Sequence, residues 1–512
     1  MRWRTFGAMA LFLAAPLAAQ PPKDSPAAAD RVGAAEQALG ALDPERLARD
    51  PAYAATIADH VRVMQARGGA DEELRFELQQ ILVIALSGAG RHDAAEAEAE
   101  ALIAMRPGTA APYRTAYFVA GFAERFARFP VLLERAADAL TVPAERADFV
   151  AMLEPEHVSG QIYELRGPDR KDLRVRLAQA LLRLGWPGEG KPALQADGLR
   201  ILVLERHLER SDRAAAARLA AEIRGVGGVL TLVTDRRFDA VNQGDRVARV
   251  RAAIAEEDRS TAAALAAAPE DTDAVVHRAA FLRSVGRDRE VLQLLLPLMG
   301  DPSLVVARHP RGFWLVNEAA FSLIATGALD EAIELMRPLA AMDLARQPDL
   351  ISTSINFTLM LLQLGRNEEA LRESTRLAAA GAEIANDYGN MFVWGNAACA
   401  ATALGRRAES DQWLLLMEPK AAENPTAMIQ ARLCRGEMEG AERVLISALE
   451  SELWREQAIL WLQDWDPSTS PPAWQRLRAQ FDQLGARPAV QAALARVGHR
   501  LRLPLTARTY GF

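Results

Sequence analysis

NFTLMLLQLGRNEEALRESTRLA, residues 356–378, decides the fold. An apolar segment runs into Leu364, a single glycine follows at Gly365, then the polar stretch RNEEA, then a second apolar segment. That is the text of two helices and one tight turn, because Gly365 stands where the first helix must end and the second begin. The same text recurs on both sides. ILVIALSGAGRHDAAEAEAEALIAMRPG spans 81–108, AAFLRSVGRDREVLQLLLPLMGDP spans 279–302, and EAAFSLIATGALDEAIELMRPLA spans 318–340. NAACAATALGRRAESDQWLLLME spans 396–418 and ARLCRGEMEGAERVLISALE spans 431–450. The turn glycines are Gly90, Gly286, Gly327, Gly365, Gly405 and Gly436, and the later ones stand 41, 38, 40 and 31 residues apart.

Five residues after the glycine comes a small residue, Ala95, Ala332, Ala370 or Ala441, and Ala279, Ala320 and Ala398 lie seven before it. Small side chains let antiparallel helices approach closely and stack. Each hairpin alone exposes an apolar face that only a neighbour can cover. On these residues the chain resembles the tetratricopeptide (TPR) repeat proteins, whose period is about 34 residues. Trp394-Gly395-Asn396-Ala397-Ala398 is similar to that family's opening Trp-x-Asn-Leu-Gly, Asn356 holds the place of Asn396, and Pro107 sits where a unit often ends. Val291 and Ser410 depart from the small-residue rule, and residues 111–265 match poorly, so the resemblance covers about half the chain. It implies an all-α, superhelical array (solenoid) of antiparallel helical hairpins with a concave groove formed by the first helices.

Outward from the repeats, Ala, Leu, Arg and Glu dominate and the text stays helical. Residues 31–110 read as N-terminal hairpins and 111–265 as degenerate hairpins or an inserted helical region. Residues 266–450 carry the repeats, and 451–512 form a C-terminal helical cap. Val229–Val233, the best strand candidate, reads as a buried helix turn beside helical neighbours. At the N-terminus, Arg2 and Arg4 precede an apolar run from Phe6 to Leu17 and then Ala18-Ala19-Gln20. That order predicts a signal peptide over 1–19 and a flexible leader over 20–30, with export to a periplasm or the exterior. No later segment is apolar enough to cross a membrane. The formal net charge is −7, and a mildly acidic chain without a basic stripe is not built for nucleic acid.

The two cysteines, Cys399 and Cys434, lie six and two residues before their turn glycines. One helical turn of axial offset, added to the lateral spacing of packed helices, exceeds the reach of a disulfide and predicts two free thiols.

Motifs for metal, phosphate or nucleophilic chemistry are absent from the sequence, the seven histidines are scattered, and no cofactor is expected. The acidic stretches at Glu96, Glu98 and Glu100 and at Glu256-Glu257-Asp258 read as solvated faces. Asn317, Asn356 and Asn396 stand nine or ten residues before their glycines. They form either a polar ladder in the groove or a structural one, and Trp314 and Phe392 precede two of them as groove candidates. Trp454, Trp461, Trp465 and Trp474 form either the apolar side of the cap or an aromatic recognition patch. The function expected from this is a non-catalytic scaffold or adaptor that binds a protein or peptide partner. The competing reading is a cell-envelope enzyme or a carbohydrate-binding component of polysaccharide or cell-wall handling.

Overall fold

The structure, a computed structural model, describes residues 26–188, 196–308, 311–380, 385–467 and 471–506. The expected signal peptide and residues 20–25 of the leader lie outside the described residues. Helix begins at Pro26, inside the stretch expected to be flexible, because Pro26–Asp30 is Ala-rich and joins the helix that follows. The chain divides into two units, 1–203 and 204–512.

In the first unit the helices are α1 (Pro26–Gly40), α2 (Pro44–Arg49), α3 (Pro51–Arg67), α4 (Glu72–Gly88) and α5 (His92–Met105). They continue as α6 (Ala110–Phe122), α7 (Arg128–Ala139), α8 (Pro143–Ala151), α9 (Pro155–Glu164) and α10 (Lys171–Leu184). Helix α11 (Asp197–Glu209) contains the division between the units. Starts are capped as the sequence requires: the Asp50 carboxylate accepts from Ala52 N and Tyr53 N at 3.1 and 3.0 Å, and Asp71 from Leu74 N at 2.8 Å. Helix α4 packs on α3, α5 and α6, so each hairpin is covered by the next.

The second unit continues with α12 (Arg213–Glu222), α13 (Val226–Thr234), α14 (Arg246–Ala267), α15 (Thr272–Ser284), α16 (Asp288–Leu295) and α17 (Pro302–Arg308). Then come α18 (Gly312–Thr326), α19 (Leu329–Ala340), α20 (Ile351–Gln363), α21 (Asn367–Ala380), α22 (Asp387–Ala403) and α23 (Arg407–Met417). The last are α24 (Pro425–Cys434), α25 (Met438–Glu450), α26 (Arg455–Trp461), α27 (Pro472–Gly485) and α28 (Pro488–Val497), with short strands β1 (Asp464–Asp466) and β2 (Arg502–Thr506). Val229–Val233 is helical, within α13. The strands pair in parallel within the stretch expected to be a helical cap, and β2 shows in the sequence as the alternation of Leu501, Leu503 and Leu505.

First helices α15, α18, α20, α22 and α24 pack each on the next, and α19 and α21 pack against the first helix that follows them. This is an all-α array of antiparallel, TPR-like hairpins. Its turns share one geometry. At Gly365, φ is 73°, Gly365 N donates to Leu362 O at 3.0 Å, and Arg366 N donates to Leu361 O at 2.8 Å. These are the two bonds of a Schellman end, which needs a left-handed residue. Gly90, Gly286, Gly327, Gly405 and Gly436 have positive φ as well. The position five residues on, Ala95, Val291, Ala332, Ala370, Ser410 or Ala441, is 0% exposed in all six hairpins. Val291 is therefore accommodated where the family pattern has a small residue.

Cys399 and Cys434 form a disulfide with Cα atoms 5.2 Å apart, against the expectation of two free thiols. The turn glycines were a faulty ruler. Side chains set the register of α22 on α24 at 34 residues, through Gln430 Nε2 donating to Asn396 Oδ1 at 3.1 Å, whereas the glycines are 31 apart. Helix α24 ends about one turn early, which brings Cys434 level with Cys399. The lateral distance also shrinks, because a Cβ on Gly395 would stand 3.3 Å from Ala427 O.

Two outcomes follow from this packing. Nothing lies within 4 Å of a Cβ built on Gly365, so Gly365→Val tests backbone strain alone. It should cost about 1–3 kcal/mol in a thermal melt, with Gly365→Ala less affected. Cys399→Ser opens a loop of 35 residues and should cost roughly 3–4 kcal/mol in denaturant titration. Equal stability of parent and variant would show that the bridge is not formed in solution.

Candidate functional site

The three asparagines join first helices to one another. Asn317 Nδ2 donates to Phe313 O and to Thr353 Oγ1, both at 2.9 Å, and Asn356 Nδ2 donates to Asn317 Oδ1 at 3.0 Å. Asn396 Nδ2 donates to Thr358 Oγ1 at 2.7 Å, and its Oδ1 accepts from Gln430. Asn317 and Asn396 are buried and Asn356 is half-buried. The polar side chains therefore form two groups, one joining α18 to α20 and the other joining α20 to α22 and α24. Thr353, Thr358 and Gln430 complete these groups, and no sequence feature had marked them.

The aromatic candidates are grouped differently from the sequence reading. Trp314 lies half-buried in the first turn of α18 with its ring 5.1 Å from that of Phe313. Phe392 on α22 meets Tyr388 edge-on at 5.3 Å, and Tyr388 stacks on Trp454 at 6.1 Å with planes 7° apart. Trp454 Nε1 donates to Ala422 O at 2.8 Å. A groove candidate and a C-terminal candidate thus meet through Tyr388, which is exposed and lies one turn before Phe392. The i, i+4 spacing of Tyr388 and Phe392 is the sequence signal that places both rings on one helix face. Trp461 is buried in the core around α24–α28, Trp454 and Trp474 pack on the same core, and Trp465 is half-buried on β1.

The acidic stretches are paired with arginine or backbone. Glu100 meets Arg128 and Arg135 at 2.9 and 2.6 Å, Asp258 meets Arg278 and Arg287 at 2.5 and 3.0 Å, and Glu257 accepts from Val226 N at 2.7 Å. Among the described residues no cluster of His, Cys, Asp or Glu could hold a metal ion.

A cluster of charged side chains closes the second unit on itself. Helix α26 packs on both α25 and α13, and α27 lies against the first helices α20 and α24. At the closure, Arg237 is held by Asp235 at 2.7 Å, Glu456 at 3.0 Å and Glu205 at 3.1 Å. Beside it, Asp239 Oδ1 lies 2.8 Å from both Arg246 Nη2 and His499 Nε2, and His499 N donates to Thr234 O at 2.7 Å. Burial opposes charge on Arg237, but Asp235, Glu205 and Glu456 outweigh it and hold the guanidinium above its usual range. Burial pushes the Glu456 carboxyl up, and Arg237 offsets this only in part. Burial also pushes Asp239 up, but Arg246 and His499 outweigh it and hold that carboxyl below its usual range. Contacts 219 and 260 residues apart leave no local signal in a sequence.

No family model matches the chain, and no curated protein matches it in sequence. Among solved structures it is similar to the APC/C hetero-tetramer Cut9-Hcn1, at 14% identity over 85% of this chain and 88% of that one, with a TM-score of 0.28. It is also similar to Naa15/Naa10 bound to HypK-THB, at 13% identity over 94% and 75%, with a TM-score of 0.22. Likenesses this distant say nothing about a partner.

The closure makes stability depend on pH in a definite direction. A raised carboxyl such as Glu456 favours the fold in acid, and that contribution is lost as pH rises through its raised pKa. Arg237→Ala removes the partner that offsets this rise. Discounted for partial exposure, the variant should lose about 2–3 kcal/mol near neutral pH. The deficit should shrink as urea titrations are carried to lower pH, where Glu456 takes up its proton. A deficit independent of pH would assign the loss to packing rather than charge.

Proposed function

We propose that the chain is an exported, non-catalytic helical-repeat scaffold that binds a protein or peptide partner on the face of its first helices. The observation that carries this reading is the state of those helices in the second unit. Their amides are engaged in holding neighbours together, while Tyr388 is exposed and Trp314 and Phe392 are half-buried. Large aromatic rings left accessible on a rigid array are the usual anchors of a protein interface. The mildly acidic composition argues against nucleic acid, and no single helix among the described residues is long and apolar enough to cross a membrane. Two features support export: the basic, apolar, small-residue order of residues 1–19, and a disulfide between the only two cysteines, a bond that lasts in oxidising compartments.

One experiment addresses both parts. A photo-crosslinking residue is placed at Tyr388, and another at Leu415, which is 66% exposed on second helix α23. The expected result is a discrete adduct from the cell envelope at 388 and none at 415, lost in Trp314→Ala or Phe392→Ala. Asn396→Ala should keep the adduct while melting lower by about 1–2 kcal/mol. Adducts at both positions, or survival in both aromatic variants, would reject the first-helix face. N-terminal sequencing of the same material should begin near Gln20. An intact Met1 in the cytoplasm would reject export.

A further inference from the structure

The last described residues are extended and held almost entirely by exchangeable contacts. Gly498 bridges Asp235, and His499 N donates to Thr234 O at 2.7 Å. Gln463 clamps the next residues, its Nε2 donating to His499 O at 3.0 Å and its Oε1 accepting from Leu501 N at 2.8 Å. Strand β2 then pairs with β1, and Thr506 Oγ1 donates to Ser284 O at 3.2 Å, at the end of first helix α15. Leu503 and Leu505 alternate along β2 and are fully buried, while Arg502 is exposed.

This strap is built weakly. A lone two-stranded parallel pair is marginal by itself. Its register shifts between Trp465 and Asp466. Pro504 has no N–H to give to any ladder. It is fixed by backbone hydrogen bonds, by the two leucines, and by the side chains of His499 on Asp239, Arg500 on Asp464 and Thr506 on Ser284; the backbone bonds and the leucines are the part that an extended segment of like pattern can supply.

We propose that residues 498–506 occupy, from within the chain, the docking site of an extended partner segment with aliphatic side chains at alternate positions. The partner strand pairs with β1, takes the places of Leu503 and Leu505, and displaces the strap by strand exchange. This rests on the protein-binding reading above and narrows the partner to extended rather than helical polypeptide. Pro504 falls within the register shift, where β1 has no residue opposite, so the competing segment is selected by its aliphatic side chains and by the backbone bonds on either side. In the parent chain, apparent affinity is lowered by the fraction of molecules whose strap is closed.

The test uses the full chain and a fluorescent peptide of residues 498–506, GHRLRLPLT. Two variants release the strap: Leu503→Asp combined with Leu505→Asp, and separately His499→Ala, which removes the strap's contact to Asp239 while leaving Asp239 itself and the leucines in place. Released chains should bind the peptide about ten-fold or more tightly than the parent does. A peptide with both leucines changed to Asp should not bind. Equal binding by parent and released chains overturns the proposal. So does the absence of binding when hydrogen exchange shows residues 498–506 unprotected. If the leucine variant loses its helical circular dichroism, His499→Ala decides alone. The peptide assay needs no cellular partner, so its failure leaves the crosslinking result at Tyr388 standing, and the converse also holds.

Discussion

A hairpin of two amphipathic helices cannot hide its own apolar face, and the rest of this structure depends on that constraint. Two helices joined by a tight turn bury one stripe between them and leave another to solvent. The remedy is a second hairpin of the same design, whose exposed stripe then needs a third. Close stacking requires a backbone that reverses within a few residues and a side chain after the turn that leaves no gap. The six glycine turns meet both requirements, each followed five residues later by a side chain with no exposed surface. Polar groups caught between first helices must then be satisfied locally, which is what the chain from Asn356 through Asn317 to Thr353 does.

The same turn explains how far the fold was legible. Where the left-handed residue is glycine, composition reveals it, and the hairpins at 279–450 could be read directly. In the middle of the chain Gly185 makes the same turn, and at two further turns the geometry persists without the glycine. Glu124 has a φ of 53° and Ser211 of 61°, and each turn makes the same pair of bonds: Glu124 N to Gly121 O at 3.0 Å with Arg125 N to Ala120 O at 2.9 Å, and Ser211 N to Leu208 O at 2.9 Å with Asp212 N to His207 O at 2.8 Å. Ala216, five residues after Ser211, is fully buried as in the other hairpins, while Phe129 fills the corresponding place after Glu124. The stretch that seemed degenerate contains the same turn made by residues that do not advertise it. The cysteine pair failed for the opposite reason. The glycines were visible, but register is set where side chains interlock, and a helix one turn short uncouples the two.

An array built this way has two ends, each with an uncovered stripe. In the second unit the C-terminal segment deals with one end by supplying α27 and α28, whose Leu477, Phe481, Leu484 and Leu494 join the core of the last hairpin. It then continues to the hairpins at the start of the unit, and there the contact changes character. Arg237 surrounded by Asp235, Glu205 and Glu456 is a costly way to gain stability, since desolvating charges offsets much of their attraction. A cluster with fixed donors and acceptors gains orientation instead. It admits one alignment of α26 on α13, whereas an apolar patch would tolerate several.

Sequence separation orders these events. Each hairpin closes through contacts within about 40 residues, so loop closure is inexpensive and stacking proceeds between neighbours. The bonds from Arg237 to Glu456 and from His499 to Asp239 span 219 and 260 residues, and their alignment exists only after the intervening hairpins have stacked. Contacts that depend on all the others contribute nothing to nucleating the array. Their loss exposes little apolar surface, because the stacked hairpins remain covered by one another. Local opening in such a molecule begins where few buried side chains are forfeited. By that criterion the segment from Gly498 to Thr506, anchored by two leucines and a row of backbone bonds, opens before any hairpin does, and the site beneath it becomes available without the array coming apart.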